Sequence, residues 1–179
     1  MSVRPNLSHF GIYVRNIPLM EEFYCDLFGL IPTDRGNGML IRNEFVFLSG
    51  DPTKHHQLVL ASGRPEEATF STIMQLSFMV YDLSDLRNIH DKAEARGVAK
   101  LRRMNHGNSW SVYFEDPEGN TIEVYMDTPF YLPQPYAIEL DLSLTYDELL
   151  ALTAADCRKA PGFLTRSEWE AKTRARLTV

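Results

Sequence analysis

The sequence predicts an α+β fold, in which paired β-α-β-β-β modules form a cup-shaped sheet with a C-terminal helical tail. Three observations point there. Two alternating segments, His9-Phe10-Gly11-Ile12-Tyr13-Val14 and Gln75-Leu76-Ser77-Phe78-Met79-Val80, share the period of a strand and recur as copies. Each copy runs into a capped, amphipathic helix. Each also has an Asp-Pro turn before a last apolar strand. The boundaries expected are 1–66 for the first module, 67–128 for the second, and 129–179 for a Pro-rich strap and helical tail.

The elements follow in order. Phe10, Ile12 and Val14 share one face of the first strand, as Leu76, Phe78 and Val80 do in the second copy. Asn16 is a good N-cap and Pro18 fits a first helical turn. Leu19, Phe23 and Leu27 then recur at helical spacing, and Gly29 can end that helix. In the second copy Asp82 and Ser84 give the cap, Leu86, Ile89 and Ala93 the apolar face, and Gly97 the stop. Two middle strands are expected near 30–33 and 39–48, and again near 100–104 and 110–114. Asp51-Pro52 and Asp116-Pro117 are turn signals, because proline presets φ at the second turn position. The last strands are read at 56–60 and 122–126.

Composition narrows the function. The chain has 179 residues, 44% hydrophobic and 23% charged, as a soluble globule does. A net charge of -6 leaves no electrostatic footprint for nucleic acid. No apolar run approaches the roughly 20 residues that span a bilayer. Met1 to Asn6 lack the basic-then-apolar pattern of a secretory signal, so a cytoplasmic location is expected. Cys25 and Cys157 lie in no short-spaced zinc pattern and read as reduced thiols.

The repeat offset singles out four polar residues. His9 and Gln75 stand 66 positions apart, and so do Gln57 and Glu123. All four side chains can coordinate a metal or accept hydrogen bonds. Each sits in a strand whose other face is apolar, so helices would cover that face and leave these groups to line a cup. A lone strand histidine is more often structural, and buried Gln or Glu can be satisfied by backbone. Four polar groups at equivalent positions favour a shared site for one metal ion. His56 is read as pointing away from Gln57, His55 as lying at the strand entrance, and His90 as a solvated helix residue.

These residues resemble the vicinal oxygen chelate superfamily of glyoxalases, bleomycin resistance proteins and extradiol dioxygenases, over about 7–126. The second copy is most similar to short type I extradiol ring-cleavage dioxygenases. It carries His106-Gly107, then Tyr113-Phe114, then Asp116-Pro117-Glu118-Gly119-Asn120, then Glu123 on a strand. The resemblance implies a metal-dependent dioxygenase that cleaves a catechol-like vicinal diol. It implies His9 and Glu123 as metal ligands, Gln75 where a second histidine is usual, and Gln57 as a fourth ligand. Fe(II) is the implied metal, with Mn, Zn, Ni or Co as other divalent candidates. His106 and Tyr113 match residues that contact the catechol, where an imidazole and a phenol can move protons. Two alternatives keep the fold: a non-redox metal-dependent isomerase, epimerase or lyase, and a metal-free small-molecule binding protein. The expected partner is a small-molecule substrate, with no nucleic acid or membrane, in a homodimer.

The tail begins with Pro129, Pro133 and Pro135 interleaved with Phe130, Tyr131 and Tyr136, which reads as an extended strap docked on the module. Thr145 with Glu148, and Thr165 with Glu168, are capping-box patterns opening two helices, the first through about Cys157. Leu149, Leu152 and Trp169 are the side chains those helices would bury.

Overall fold

The computed structural model describes residues 4–177. The chain divides into two compact units, Met1–Met74 with Asp116–Asn120 as unit 1, and Gln75–Glu115 with Thr121–Val179 as unit 2. Each unit holds one β-α-β-β-β module, in the α+β class the sequence predicts.

Unit 1 contains β1 (Phe10–Val14), α1 (Ile17–Phe28), β2 (Ile31–Asn37), β3 (Glu44–Ser49) and β4 (Leu58–Ser62). Its sheet runs β1-β4-β3-β2, with β1 and β4 parallel. The Asn16 side chain accepts from the Leu19 N–H at 3.0 Å, and Gly29 closes α1 with φ of 67°. The helix buries Ile17, Met20, Phe23, Tyr24 and Leu27. Leu19, expected on that stripe, is 44% exposed, so the apolar face is rotated from the one read in the sequence. Each fully buried Leu, Phe or Met here contributes roughly 1.5–3 kcal/mol.

The turn 116–120 belongs to unit 1 and carries its buried charge. Tyr24 donates to Asp116 Oδ2 at 2.9 Å, while Asp116 Oδ1 accepts the N–H of Glu118 and of Asn120. Glu118 Oε1 accepts the N–H groups of Arg15 (2.6 Å) and Asn16 (2.9 Å) at the entry to α1. Its Oε2 lies 3.5 Å from Arg64 Nη1 and 3.7 Å from Arg15 Nη1. The side chains of Glu118 and Arg64 are only 6% and 9% exposed, so each charge depends on the other.

Unit 2 repeats the plan with β5 (Leu76–Met79), α2 (Leu83–Ala95), β6 (Arg102–Asn105), β7 (Ser109–Glu115) and β8 (Thr121–Asp127). The tail adds β9 (Phe130–Tyr131), β10 (Ile138–Glu139), α3 (Tyr146–Lys159), β11 (Leu164–Thr165) and α4 (Arg166–Leu177). The sheet order β10-β6-β7-β8-β5 matches unit 1, with β10 covering the edge that β6 would expose. Asp82 caps α2, and Trp110, Phe114, Ile122, Val124 and Leu86 fill the core.

One register difference separates the copies. Phe10 pairs with Leu58 and Gly11 with Val59, whereas Leu76 pairs with Ile122 and Ser77 with Glu123. The register counterpart of Glu123 is therefore Val59, and that of Gln57 is Thr121. The cause is local. Leu48 pairs with Leu58 ten positions on, and Phe114 with Ile122 eight positions on, so the turn before β4 holds two more residues. The constant offset of 66 read from the sequence is thus broken at the last strand.

The tail docks as a strap and two capped helices. Both halves of the Thr145–Glu148 capping box form, and Thr165 and Glu168 make the same exchange. Thr153 Oγ1 accepts from Asn105 Nδ2 and Trp110 Nε1, tying α3 to the sheet. Leu149 is buried and Trp169 stacks on Tyr131 at 5.4 Å. Leu152 is 53% exposed instead, because α3 turns Leu149, Thr153, Ala154 and Cys157 inward. The Gln134–Pro135 peptide is cis. Cys25 and Cys157 are free thiols, and no helix among the described residues is long and apolar enough to cross a membrane.

Two stability outcomes follow from these contacts. Glu118→Ala removes the buried carboxylate beside the Arg15 and Arg64 guanidiniums, which keep their carbonyl partners, and should lower unfolding free energy by about 3 kcal/mol in urea titrations. A loss under about 1 kcal/mol would show that solvent already screens those charges. The cap hydrogen bonds hold Glu148 and Glu168 below the usual carboxylate range. A depressed carboxyl contributes stability that is present above its unfolded pKa of about 4.3 and lost as pH falls through its folded value. Helical circular dichroism should therefore fall with acid below about pH 4, less steeply in a Glu148→Ala, Glu168→Ala double variant.

Candidate functional site

The centre of the site in unit 2 is Glu123, a carboxylate only 8% exposed on the middle of β8. Pairing with β7 sets Tyr113 directly opposite it, and pairing with β5 sets Ser77 opposite on the other side. Glu123 Oε1 accepts from Tyr113 OH at 2.5 Å and from Ser111 Oγ at 3.0 Å. Its Oε2 accepts from Gln75 Nε2 at 2.6 Å and from Ser77 Oγ at 2.7 Å. Four donors on one carboxylate offset a burial cost of several kcal/mol.

A second line of contacts extends from Tyr113. His106 Nε2 lies 3.0 Å from Tyr113 OH, and its Nδ1 lies 2.7 Å from the Tyr136 carbonyl oxygen. The Arg102 guanidinium sits 5.0 Å over the Tyr113 ring. Burial, together with the hydrogen bond and charge of Glu123, pushes the Tyr113 phenol well above its ordinary value. Tyr113 is consequently a neutral donor at physiological pH.

In unit 1, His9 is exposed and meets the His56 ring at 4.1 Å. Phe45, Phe47, Val59 and Arg35 join these two histidines around a cavity of about 390 Å³. His55 Nδ1 lies 2.8 Å from His56 Nδ1, and His55 Nε2 lies 2.7 Å from Asp34 Oδ2. Burial, with His9 and His55 nearby, pushes the His56 imidazole below its ordinary value. Gln57 takes a different role, since its Oε1 accepts the Gly50 N–H at 2.9 Å.

The sequence-derived residues thus fall into separate groups. Gln75, His106, Tyr113 and Glu123 are linked within unit 2, whereas His9 belongs with His56 and Gln57 with the turn before β4. Ser77 and Ser111 join the unit 2 group, and strand parity, which puts them on the faces of Gln75 and Tyr113, is the signal that marks them in the sequence. His56 and Gln57 part company just before β4, His56 meeting the His9 ring and Gln57 the Gly50 amide. His90 is not solvated: its side chain is 12% exposed and pairs with Asp91 at 3.0 Å. Among the described residues, three His, Cys, Asp or Glu groups come within mutual reach only at His90, Asp91 and Glu94, where both carboxylates are exposed.

Glu123, Gln75, Ser77 and Ser111 are the oxygen-bearing groups in unit 2 that could hold a divalent cation, although each Glu123 oxygen now accepts from protein donors. A carboxylate, an amide and two hydroxyls form an all-oxygen donor set once the Gln75 amide turns its carbonyl inward.

Fold and sequence together place the chain in a known class. Residues 6–124 match the model of the Glyoxalase/Bleomycin resistance protein/Dioxygenase superfamily, and the chain belongs to that family. It is 27% identical over 132 residues to biphenyl-2,3-diol 1,2-dioxygenase 3 of Rhodococcus globerulus, covering 71% of this chain and 66% of that enzyme. It is 22% identical over 173 residues to biphenyl-2,3-diol 1,2-dioxygenase 2 of the same organism, covering 87% of each. Among solved structures, a glyoxylase/bleomycin resistance protein/dioxygenase domain from Frankia sp. EAN1pec superposes with a TM-score of 0.59 at 20% identity, over 70% of this chain and all of that one. The fosfomycin resistance protein FosX of Listeria monocytogenes, solved with Mn(II) and sulfate, gives 0.54 at 16% identity, over 70% of this chain and 96% of its own. These two likenesses carry the fold.

Tyr113→Phe separates the buried phenol from the exposed ones. In a spectrophotometric titration, the absorbance change lost in this variant should lie well above the roughly pH 10 of a free tyrosine. Loss of a component near pH 10 would mean that Glu123 does not hold the phenol proton.

Proposed function

We propose that the chain is a metal-dependent extradiol-type dioxygenase acting on a catechol-like aromatic vicinal diol. The observation that carries this reading is the continuous contact His106–Tyr113–Glu123, a base, a phenol and a buried carboxylate on one sheet face. The names of the two Rhodococcus relatives supply the substrate class, an aromatic ring with adjacent hydroxyls.

Glu123 and Gln75 are the proposed metal ligands in unit 2, and the sequence reading adds His9 as the imidazole donor. Gln57 is left out, because its carbonyl is already engaged by the Gly50 amide. Fe(II), when bound, supplies Lewis acidity toward the diol oxygens and redox access to dioxygen. The chain's own residues do the rest. Tyr113 stays protonated and donates to a substrate oxygen in place of Glu123. In the proton transfer the Tyr113 hydroxyl passes its hydrogen to His106 Nε2 as its oxygen takes the diol proton, so the phenol ends protonated; the reverse exchange returns a proton to the product. Ser77 and Ser111 hold the carboxylate in place by one hydrogen bond each. Arg102 over the Tyr113 ring favours electron density on the phenol.

A second reading keeps the metal and drops oxygen chemistry. Gln75 favours it, since a neutral amide oxygen is a harder donor than imidazole and suits Mn(II).

The experiment loads the protein with Fe(II) under nitrogen, then supplies air and a panel of catechols. A yellow ring-cleavage product is expected. Bound non-redox metal without oxygen uptake would favour the isomerase or lyase reading, and no metal with no product would leave a binding protein. Tyr113→Phe should lower kcat roughly 100-fold with a smaller change in KM. By calorimetric titration, Glu123→Gln should abolish tight metal binding, His9→Ala should weaken it, and Gln75→His should tighten Fe(II). Equal affinities in all variants would remove the metal from the proposal.

A further inference from the structure

The strap is built around His106. Gln134 Nε2 donates to the His106 carbonyl at 2.9 Å, and Gln134 Oε1 accepts the Tyr136 N–H at 3.0 Å. The Tyr136 carbonyl in turn faces His106 Nδ1 at 2.7 Å. These three hydrogen bonds close a ring that starts and ends on one residue. Gln134 Nε2 also lies 3.4 Å from Asn108 Oδ1 and from the Leu132 carbonyl. Leu132, two residues before it, is 1% exposed and anchors the strap.

The ring decides which nitrogen of His106 carries hydrogen. A backbone carbonyl can only accept, so Nδ1 must be the N–H. In the neutral imidazole, Nε2 is then bare and faces the Tyr113 hydroxyl at 3.0 Å. A free imidazole has no such obligation and exchanges between its two tautomers. Without the clamp, some molecules would put the hydrogen on Nε2, where it would donate to the Tyr113 oxygen and leave no acceptor for the phenol proton.

We propose that Gln134 is a positioning residue, which fixes the Nδ1–H tautomer of His106 by holding the Tyr136 carbonyl against it. This rests on the reading of His106 as the group that exchanges a proton with Tyr113. The C-terminal strap is then part of the site, and its role is to keep Nε2 a bare acceptor. Gln134 touches neither Tyr113 nor Glu123, and acts only through His106.

The test reads the ring nitrogens directly. Protein with 15N-labelled imidazoles, free of metal and substrate at alkaline pH, gives five histidine spin systems, and His106 is assigned by its loss in His106→Asn. Nδ1 should carry the hydrogen in the parent. Gln134→Ala and Gln134→Glu, which both lose the donor to the His106 carbonyl, should shift His106 toward a mixture of tautomers. With a catechol substrate both variants should lose about tenfold in kcat while KM stays within about twofold. A hydrogen on Nε2 in the parent overturns the proposal, even if neither variant folds. So does an unchanged His106 tautomer in a folded variant, whatever its melting temperature, because that marks a purely structural strap. If no catechol is turned over, the dioxygenase reading fails, and the nitrogen spectra still decide the role of Gln134.

Discussion

A single buried carboxylate organises the polar face of unit 2. Glu123 lies among apolar neighbours on β8, and an unpaired charge there would cost several kcal/mol. Its four donors come from Gln75 and Ser77 at the start of the module and from Ser111 and Tyr113 on the antiparallel neighbour. Each is placed by the pairing register of β5, β7 and β8. A slip of one residue would turn Glu123 into the core and leave its donors without an acceptor. The same register that satisfies the charge also brings Tyr113 and, behind it, His106 into line.

Unit 1 handles charge differently. Its strand position equivalent to Glu123 is Val59, so its sheet face carries no buried carboxylate. The acid instead comes from the turn 116–120, where Glu118 meets Arg15 and Arg64 and caps the entry to α1. That leaves the face around His9 and His56 aromatic and apolar, with Phe45 and Phe47 as walls. The two copies of one module thus present different faces, one built around a buried carboxylate and the other around aromatic rings and histidines.

Much of the fold was legible because it rests on local rules. Alternation marked β1 and β5, Asn16 and Asp82 marked helix starts, and Thr145 with Glu148 formed the exchange their spacing implies. In the strap, Leu132 is buried and Tyr131 stacks on Trp169. Errors arose where two elements had to agree. Leu19 and Leu152 kept helical spacing yet stayed exposed, because the partner surface, not the period, chooses which part of a stripe is buried. The equivalence of Gln57 with Glu123 failed because two extra residues in one turn shift a strand without altering its own pattern.

The sequence by itself determined the fold class, the family and which polar residues of the second copy stand close along the chain. Periodicity, caps and turn residues are properties of neighbours along the chain, and a short run such as His106 to Glu123 keeps them together. Only the tertiary structure decided which groups meet. Strand pairing joined Gln75, Ser77, Ser111 and Tyr113 to one carboxylate, moved Gln57 to a backbone amide, and set His56 against His9. It also brought Gln134 and Tyr136 back onto His106, about 30 residues upstream, which no local pattern could announce. The physical reason is that register and docking are fixed by the sum of buried contacts across elements, whereas propensity is fixed residue by residue.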